Sequence, residues 1–114
     1  MGRRSVASSR SETKPVKALR AIKPHAGKAA ELLKALANEQ RLMILCNLVE
    51  GPLSVGELNE KLDLSQSALS QHLAVLRESK IVATTREAQS IRYELPEGVV
   101  TRIIEILYKE FCKS

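Results

Sequence analysis

Residues 53–95 read LSVGELNEKLDLSQSALSQHLAVLRESKIVATTREAQSIRYEL, and the order of signals in this stretch decides the fold. Ser54 followed three residues later by Glu57 is a capping box, so a helix starts at Val55. Leu58 and Leu62, four residues apart, share one face of it. Asp63-Leu64-Ser65 breaks that helix and supplies Ser65 as the N-cap of a second one. In the second helix Leu69, Leu73 and Leu76 repeat at helical spacing, with Ala68 and His72 beside them, and this stripe faces inward. Two strands follow, Ile81 to Arg86 and Ser90 to Leu95, with Glu87-Ala88-Gln89 at the tip. Helix, tight turn, helix and hairpin make a winged helix-turn-helix, a mostly α fold with a small β-hairpin.

The outer face of the second helix carries Gln66, Ser67, Ser70 and Gln71, none of them charged. A helix kept only for solubility carries Glu, Lys and Arg there. Gln and Ser can hydrogen-bond base edges, and an uncharged face does not repel phosphate. This points to double-stranded DNA as the partner, with Ser65, Gln66, Ser67, Ser70 and Gln71 at the contact; the plainer alternative is an ordinary amphipathic helix. His72 is a packing or phosphate-contacting residue rather than a metal ligand. On the hairpin, Arg86, Gln89 and Arg92 are placed to touch phosphates or the minor groove, though Arg92 can equally pair with Glu94 or Glu87.

SVGEL, LSQSALSQHLAVLRES and the REAQSIRYEL hairpin resemble the ArsR/SmtB family of dimeric bacterial repressors, and LLKALANEQRLMIL upstream resembles that family's second conserved block. The likeness runs from about His25 to the end. Within the family the chain is most similar to the HlyU, BigR and SqrR type, which senses sulfur species or redox state. The resemblance implies a dimer formed through the first and last helices. Two recognition helices about one DNA turn apart then require an imperfect inverted repeat as operator. One departure stands out. The family usually has Gly where Lys80 stands, closing the recognition helix in a left-handed conformation, and Lys there costs up to about 1 kcal/mol or ends the helix differently.

The rest of the chain fits one domain of 114 residues. The formal charge of +5 is unevenly placed: residues 1–28 hold eight basic side chains against Glu12 alone. The remaining residues, with ten basic and twelve acidic side chains, are slightly acidic. Residues 1–24 are Ser-rich and basic with two prolines and little to bury. They are expected to form a flexible arm, either adding phosphate contacts or simply solvated. Residues 25–114 then form the DNA-binding and dimerisation domain. From His25 to Ala37 the residues Ala29, Leu32, Leu33 and Leu36 make a helical stripe; Asn38 caps the next helix, Glu39 to Glu50, which Gly51-Pro52 ends. Leu42, Leu45, Cys46 and Val49 share a face of that helix. Pro96 sits at or near the start of a last helix, about Glu97 to Cys112, carrying Val100, Ile103, Ile104, Leu107 and Phe111. With three aromatic residues in all, the core is Leu, Ile, Val and Ala. No apolar run approaches the roughly 18 residues that span a bilayer. No signal peptide is visible either, so no membrane partner and a cytoplasmic location are expected.

The signal is harder to read. Metal-sensing relatives carry a Cys-Val-Cys unit where this chain has Ser54-Val55-Gly56, and the last helix contains no His, so no metal site or cofactor is expected. In isolation Cys46 and Cys112 read as small buried hydrophobes. ILCNL and KEFCKS nevertheless match the contexts of the two cysteines in the HlyU, BigR and SqrR type. That resemblance implies a reversible dithiol switch, in which an oxidant or persulfide links Cys46 to Cys112 and releases DNA. It also leaves open an activator that displaces a silencing protein from a promoter. An enzyme is not expected: no nucleophile elbow or paired catalytic carboxylates appear.

Overall fold

A computed structural model describes residues 13–112, with side chains from Lys17 onward. The first twelve residues of the expected arm lie outside the described residues. In chain order the elements are α1 (Thr13–Ile22), a 3₁₀ turn (Lys23–His25), α2 (Ala26–Leu36), α3 (Glu39–Asn47), β1 (Leu53–Ser54) and α4 (Val55–Lys61). They continue with α5 (Gln66–Glu78), β2 (Ala83–Glu87), β3 (Ser90–Glu94) and α6 (Val99–Phe111). The part of the expected arm that is described is thus helical through α1, not irregular. Among the described residues no helix is long and apolar enough to cross a membrane.

The chain divides into two compact units, one ending at Leu33 and the other beginning at Lys34. In the first, α1 runs into the 3₁₀ turn, and Leu19, Ile22 and Leu33 are all exposed. The second holds the core: Ala35, Leu36, Ile44, Leu45, Leu48, Leu58, Leu62, Leu69, Leu73, Leu76, Ile81, Val82, Val100 and Ile104. The inward stripe expected of the second helix of the motif, Leu69, Leu73 and Leu76, is wholly in this list. So is Leu58 with Leu62, the pair expected on one face of α4.

The caps read from sequence are made. Asn38 Oδ1 accepts from the Arg41 backbone N–H at 3.0 Å and opens α3. At α4, Ser54 Oγ accepts from the Glu57 N–H at 3.1 Å while Glu57 Oε1 accepts from the Ser54 N–H at 2.9 Å, a complete capping box. Ser65 Oγ accepts from the Ala68 N–H at 3.1 Å and opens α5. Between α4 and α5, Asn59 Nδ2 donates to the Leu64 carbonyl at 2.9 Å and braces the tight turn.

Several boundaries differ from the sequence expectation, each for a local reason. The helix after Asn38 stops at Asn47 rather than Glu50, because the chain tightens into bonds three residues apart, Leu48 N–H to the Leu45 carbonyl and Val49 N–H to that of Cys46. The last helix begins at Val99, preceded by Gly98, and the Thr101 hydroxyl reaches back to the Pro96 carbonyl. Ile81 and Val82 are buried in the core ahead of the first wing strand, which starts at Ala83 and runs on to Glu87. The hairpin therefore turns on two residues, Ala88 and Gln89, with Glu87 paired to Ser90 and Ala88 at φ 55°.

A strand not expected from sequence completes the sheet. Leu53 and Ser54 pair antiparallel with Tyr93 and Arg92, giving the order β1-β3-β2. Lys80 does take the left-handed conformation, at φ 62°. The Ile81 N–H bonds the Leu76 carbonyl and the Lys80 N–H that of Arg77, the paired bonds of a Schellman ending with Lys80 in the position that usually goes to Gly.

Candidate nucleic-acid interface and dithiol pocket

The N-cap of α5 places its first turn outward and its leucines inward, so Gln66, Ser67, Ser70 and Gln71 come together on one exposed face. Ser65 is exposed beside them, but its hydroxyl is engaged as the cap, 3.5 Å from the Ser67 hydroxyl. The same face continues along the helix through Ala74 and Arg77, both exposed. Arg86 and Gln89 are exposed on the hairpin.

Two of the nine candidates stand apart. His72 is half-buried and turned toward α3, where its Nδ1 accepts from Arg41 Nε at 3.3 Å. Arg41 Nη1 also donates to the Ala35 carbonyl at 3.2 Å, so one guanidinium joins the end of α2 to α5. His72 is a packing residue here, held away from the Gln/Ser face. Arg92 is also half-buried and already occupied. Its Nη2 lies 3.5 Å from Glu57 Oε1 and donates to the Pro52 carbonyl at 3.2 Å, and its Nε lies 3.8 Å from Glu87 Oε1. Pairing with Glu87, rather than a free charge on the strand, is the arrangement present; Glu57 is a partner that strand alternation could not suggest. The Glu57 carboxyl is held below the usual carboxylate range, first by the Ser54 N–H of the capping box and then by the neighbouring Arg92 charge.

Between α5, the start of α4 and β3 lies an open cavity of about 580 Å³, lined by Val55, Ser70, Leu73, Ala74, Arg77, Glu78, Lys80 and Tyr93. Arg77 and Lys80 were not among the sequence candidates. For Arg77 a signal existed, since it falls two helical turns after Ser70 and therefore on its face. Nothing local aims Lys80; the turn after the helix does.

The two cysteines, far apart in sequence, meet in the fold. Cys46 is half-buried on α3, and Cys112 is exposed at the C-cap of α6. Both thiols are free, and both line a cavity of about 410 Å³ together with Leu42, Met43, Asn47 and Tyr108. Burial pushes the Cys46 thiol above its ordinary range, and the charge of Cys112 and a hydrogen bond with it push in the same direction. Tyr108 lines this cavity and, with Cys46 and Asn47, a second one beside Glu50. Its hydroxyl donates to Glu50 Oε2 at 3.1 Å, which raises its ionisation above the usual phenol range, with the Glu50 charge adding to the effect.

Comparison with known proteins agrees with this geometry. Residues 38–84 match the sequence profile of bacterial regulatory proteins of the arsR family. The transcriptional activator HlyU of Vibrio cholerae is 50% identical over 96 residues, 84% of this chain and 89% of that protein. The biofilm growth-associated repressor of Agrobacterium fabrum is 52% identical over 94 residues, 82% of this chain and 80% of that protein. The structure of reduced HlyU from Vibrio cholerae superposes with a TM-score of 0.76 at 51% identity, covering 82% of this chain and 99% of that one. A winged helix-turn-helix with this capping, this hairpin and these relatives is a transcriptional regulator, and the chain belongs to the ArsR family.

Proposed function

We propose that the chain is a dimeric repressor that binds an inverted-repeat operator and lets it go when Cys46 and Cys112 become covalently linked. The observation that carries the reading is that the two thiols, far apart in sequence, line one cavity together. Residues 25–114 act as the DNA-binding and dimerisation domain, with dimer contacts from α2 and α6, and residues 1–24 as a basic arm against phosphate. Gln66, Ser67, Ser70 and Gln71 read the major groove from α5, and Arg86 and Gln89 reach from the wing. No cofactor, metal or membrane takes part, and the protein works in the cytoplasm.

Peroxide takes two electrons and two protons from the thiol pair, forming a disulfide and two waters. A glutathione persulfide instead gives a sulfane sulfur to each cysteine and leaves as glutathione. The two protein persulfides then condense to a trisulfide bridge with loss of hydrogen sulfide. Either link ties α6, and with it the dimer, to α3 of the same subunit. A coupling of about 1–3 kcal/mol changes operator affinity roughly 5- to 150-fold. Burial raises the Cys46 thiol, which keeps it protonated and slows its attack on either reagent.

The test compares operator affinity of the protein reduced, treated with peroxide and treated with glutathione persulfide, with mass analysis of the Cys46 and Cys112 peptides. Release of DNA with a linked peptide is expected, and Cys46→Ser should bind DNA yet ignore both reagents. Release by the Cys46→Ser protein would overturn the dithiol switch. One relative is an activator and another a repressor, which supports a second reading: binding that displaces a silencing protein. Footprinting with and without a nucleoid silencer separates the two.

A further inference from the structure

Arg77 and Lys80 are exposed cations at the C-terminal end of α5, and among the described residues neither belongs to an ion pair. Both line the cleft between α5 and the sheet, together with Ser70, Ala74 and Tyr93. In a winged helix-turn-helix bound to DNA, the recognition helix occupies the major groove and the wing an adjacent minor groove. The phosphodiester strand that divides those two grooves has to pass between helix and wing. Here that passage is the cleft. We propose that Arg77 and Lys80 seat a backbone phosphate of this strand; the inference rests on α5 being the DNA-reading helix.

The backbone at Lys80 supports this. A residue needed only to end the helix at φ 62° is better served by Gly, which takes that conformation without strain. Lysine keeps the strain and adds a cation to the cleft. Charge in the cleft points the same way. Glu78 is the one acidic residue among those that line it, so two cations against one carboxylate leave a single positive charge. Losing either cation makes the seat neutral. Arg92, by contrast, already faces Glu57 and Glu87 and has no charge to spare for phosphate.

The experiment uses the full chain and two probes, a mixed-sequence duplex and an operator selected from random duplexes, titrated over a series of salt concentrations. Lys80→Gly removes the cation while relieving the backbone, so its melting temperature should equal or exceed that of the parent. Arg77→Gln removes the other cation from an exposed position. Each variant should weaken binding to both duplexes by the same factor. Each should also flatten the plot of log affinity against log salt by roughly 2 for a dimer, about 0.9 per lost contact. Arg77→Lys, which keeps the charge, should retain the parental slope. Parental affinity and slope in Lys80→Gly and Arg77→Gln overturn the proposal, as does a loss confined to the selected operator. A parent chain that binds neither duplex overturns the DNA-reading role of α5 itself, a separate result.

Discussion

Helices α5 and α6 have the same length, thirteen residues, and the same inner logic. Each lays an aliphatic stripe on the shared core, Leu69, Leu73 and Leu76 in one and Val100 and Ile104 in the other. Their outer faces are opposites. The first presents Gln66, Ser67, Ser70 and Gln71 to solvent, whereas the second leaves Val99, Ile106 and Phe111 exposed, Phe111 at 79%. Burial fixes where a helix sits and says nothing about what it meets. The outer face supplies that: hydrogen-bonding groups without charge suit base edges, and large apolar side chains in water gain about 25 cal/mol for each Å² a partner covers.

The largest effects should come from the inner faces of the two helices. Leu69→Ala or Ile104→Ala empties a fully buried site and should cost about 2–5 kcal/mol in either helix, read by chemical denaturation. Equal losses would confirm that the inner faces are equivalent. A smaller effect should separate the outer faces. Ile106→Glu puts charge on the apolar side of α6 and should leave the monomer fold intact by circular dichroism. Under the proposed dimer it should shift the protein to monomer in sedimentation and weaken binding to the proposed inverted repeat by at least tenfold, about 1.4 kcal/mol. A variant that remains dimeric would remove α6 from the interface. Smallest and most selective is Gln71→Ala, with no change in fold or assembly. Discrimination at one base pair in each half-site should fall by about 1–3 kcal/mol, measured on duplexes with single base-pair changes.

Most of the fold was legible because its signals are local. Ser54 with Glu57, Ser65 and Asn38 each act on backbone within three residues, and the leucine stripe declares its period over a single helix. What escaped depends on partners distant in sequence. A two-residue strand, Leu53–Ser54, has no periodicity of its own and exists only because β3 lies beside it. His72 sits next to the inward leucines in phase, yet its neighbour, Arg41, comes from thirty-one residues earlier. Glu57 was readable as a cap but not as a partner of Arg92, since the wing has to fold back to bring them together. The meeting of Cys46 with Cys112 came from family likeness, because neither spacing nor composition aligns the middle of α3 with the end of α6.

Ser54 belongs to two structures at once: it is the last residue of β1, paired with Arg92, and the N-cap of α4. The wing and the helix-turn-helix therefore share a backbone residue, and Arg92 stitches the same corner through Glu57 and the Pro52 carbonyl. Such a corner behaves as a caliper with a fixed jaw. A protein that cannot adjust its own span leaves the adjustment to the duplex, and duplexes differ in how readily they yield. Flexible pyrimidine–purine steps under the jaw are cheap to deform and stiff A-tracts are not. Selectivity can thus arise at base pairs that no side chain touches.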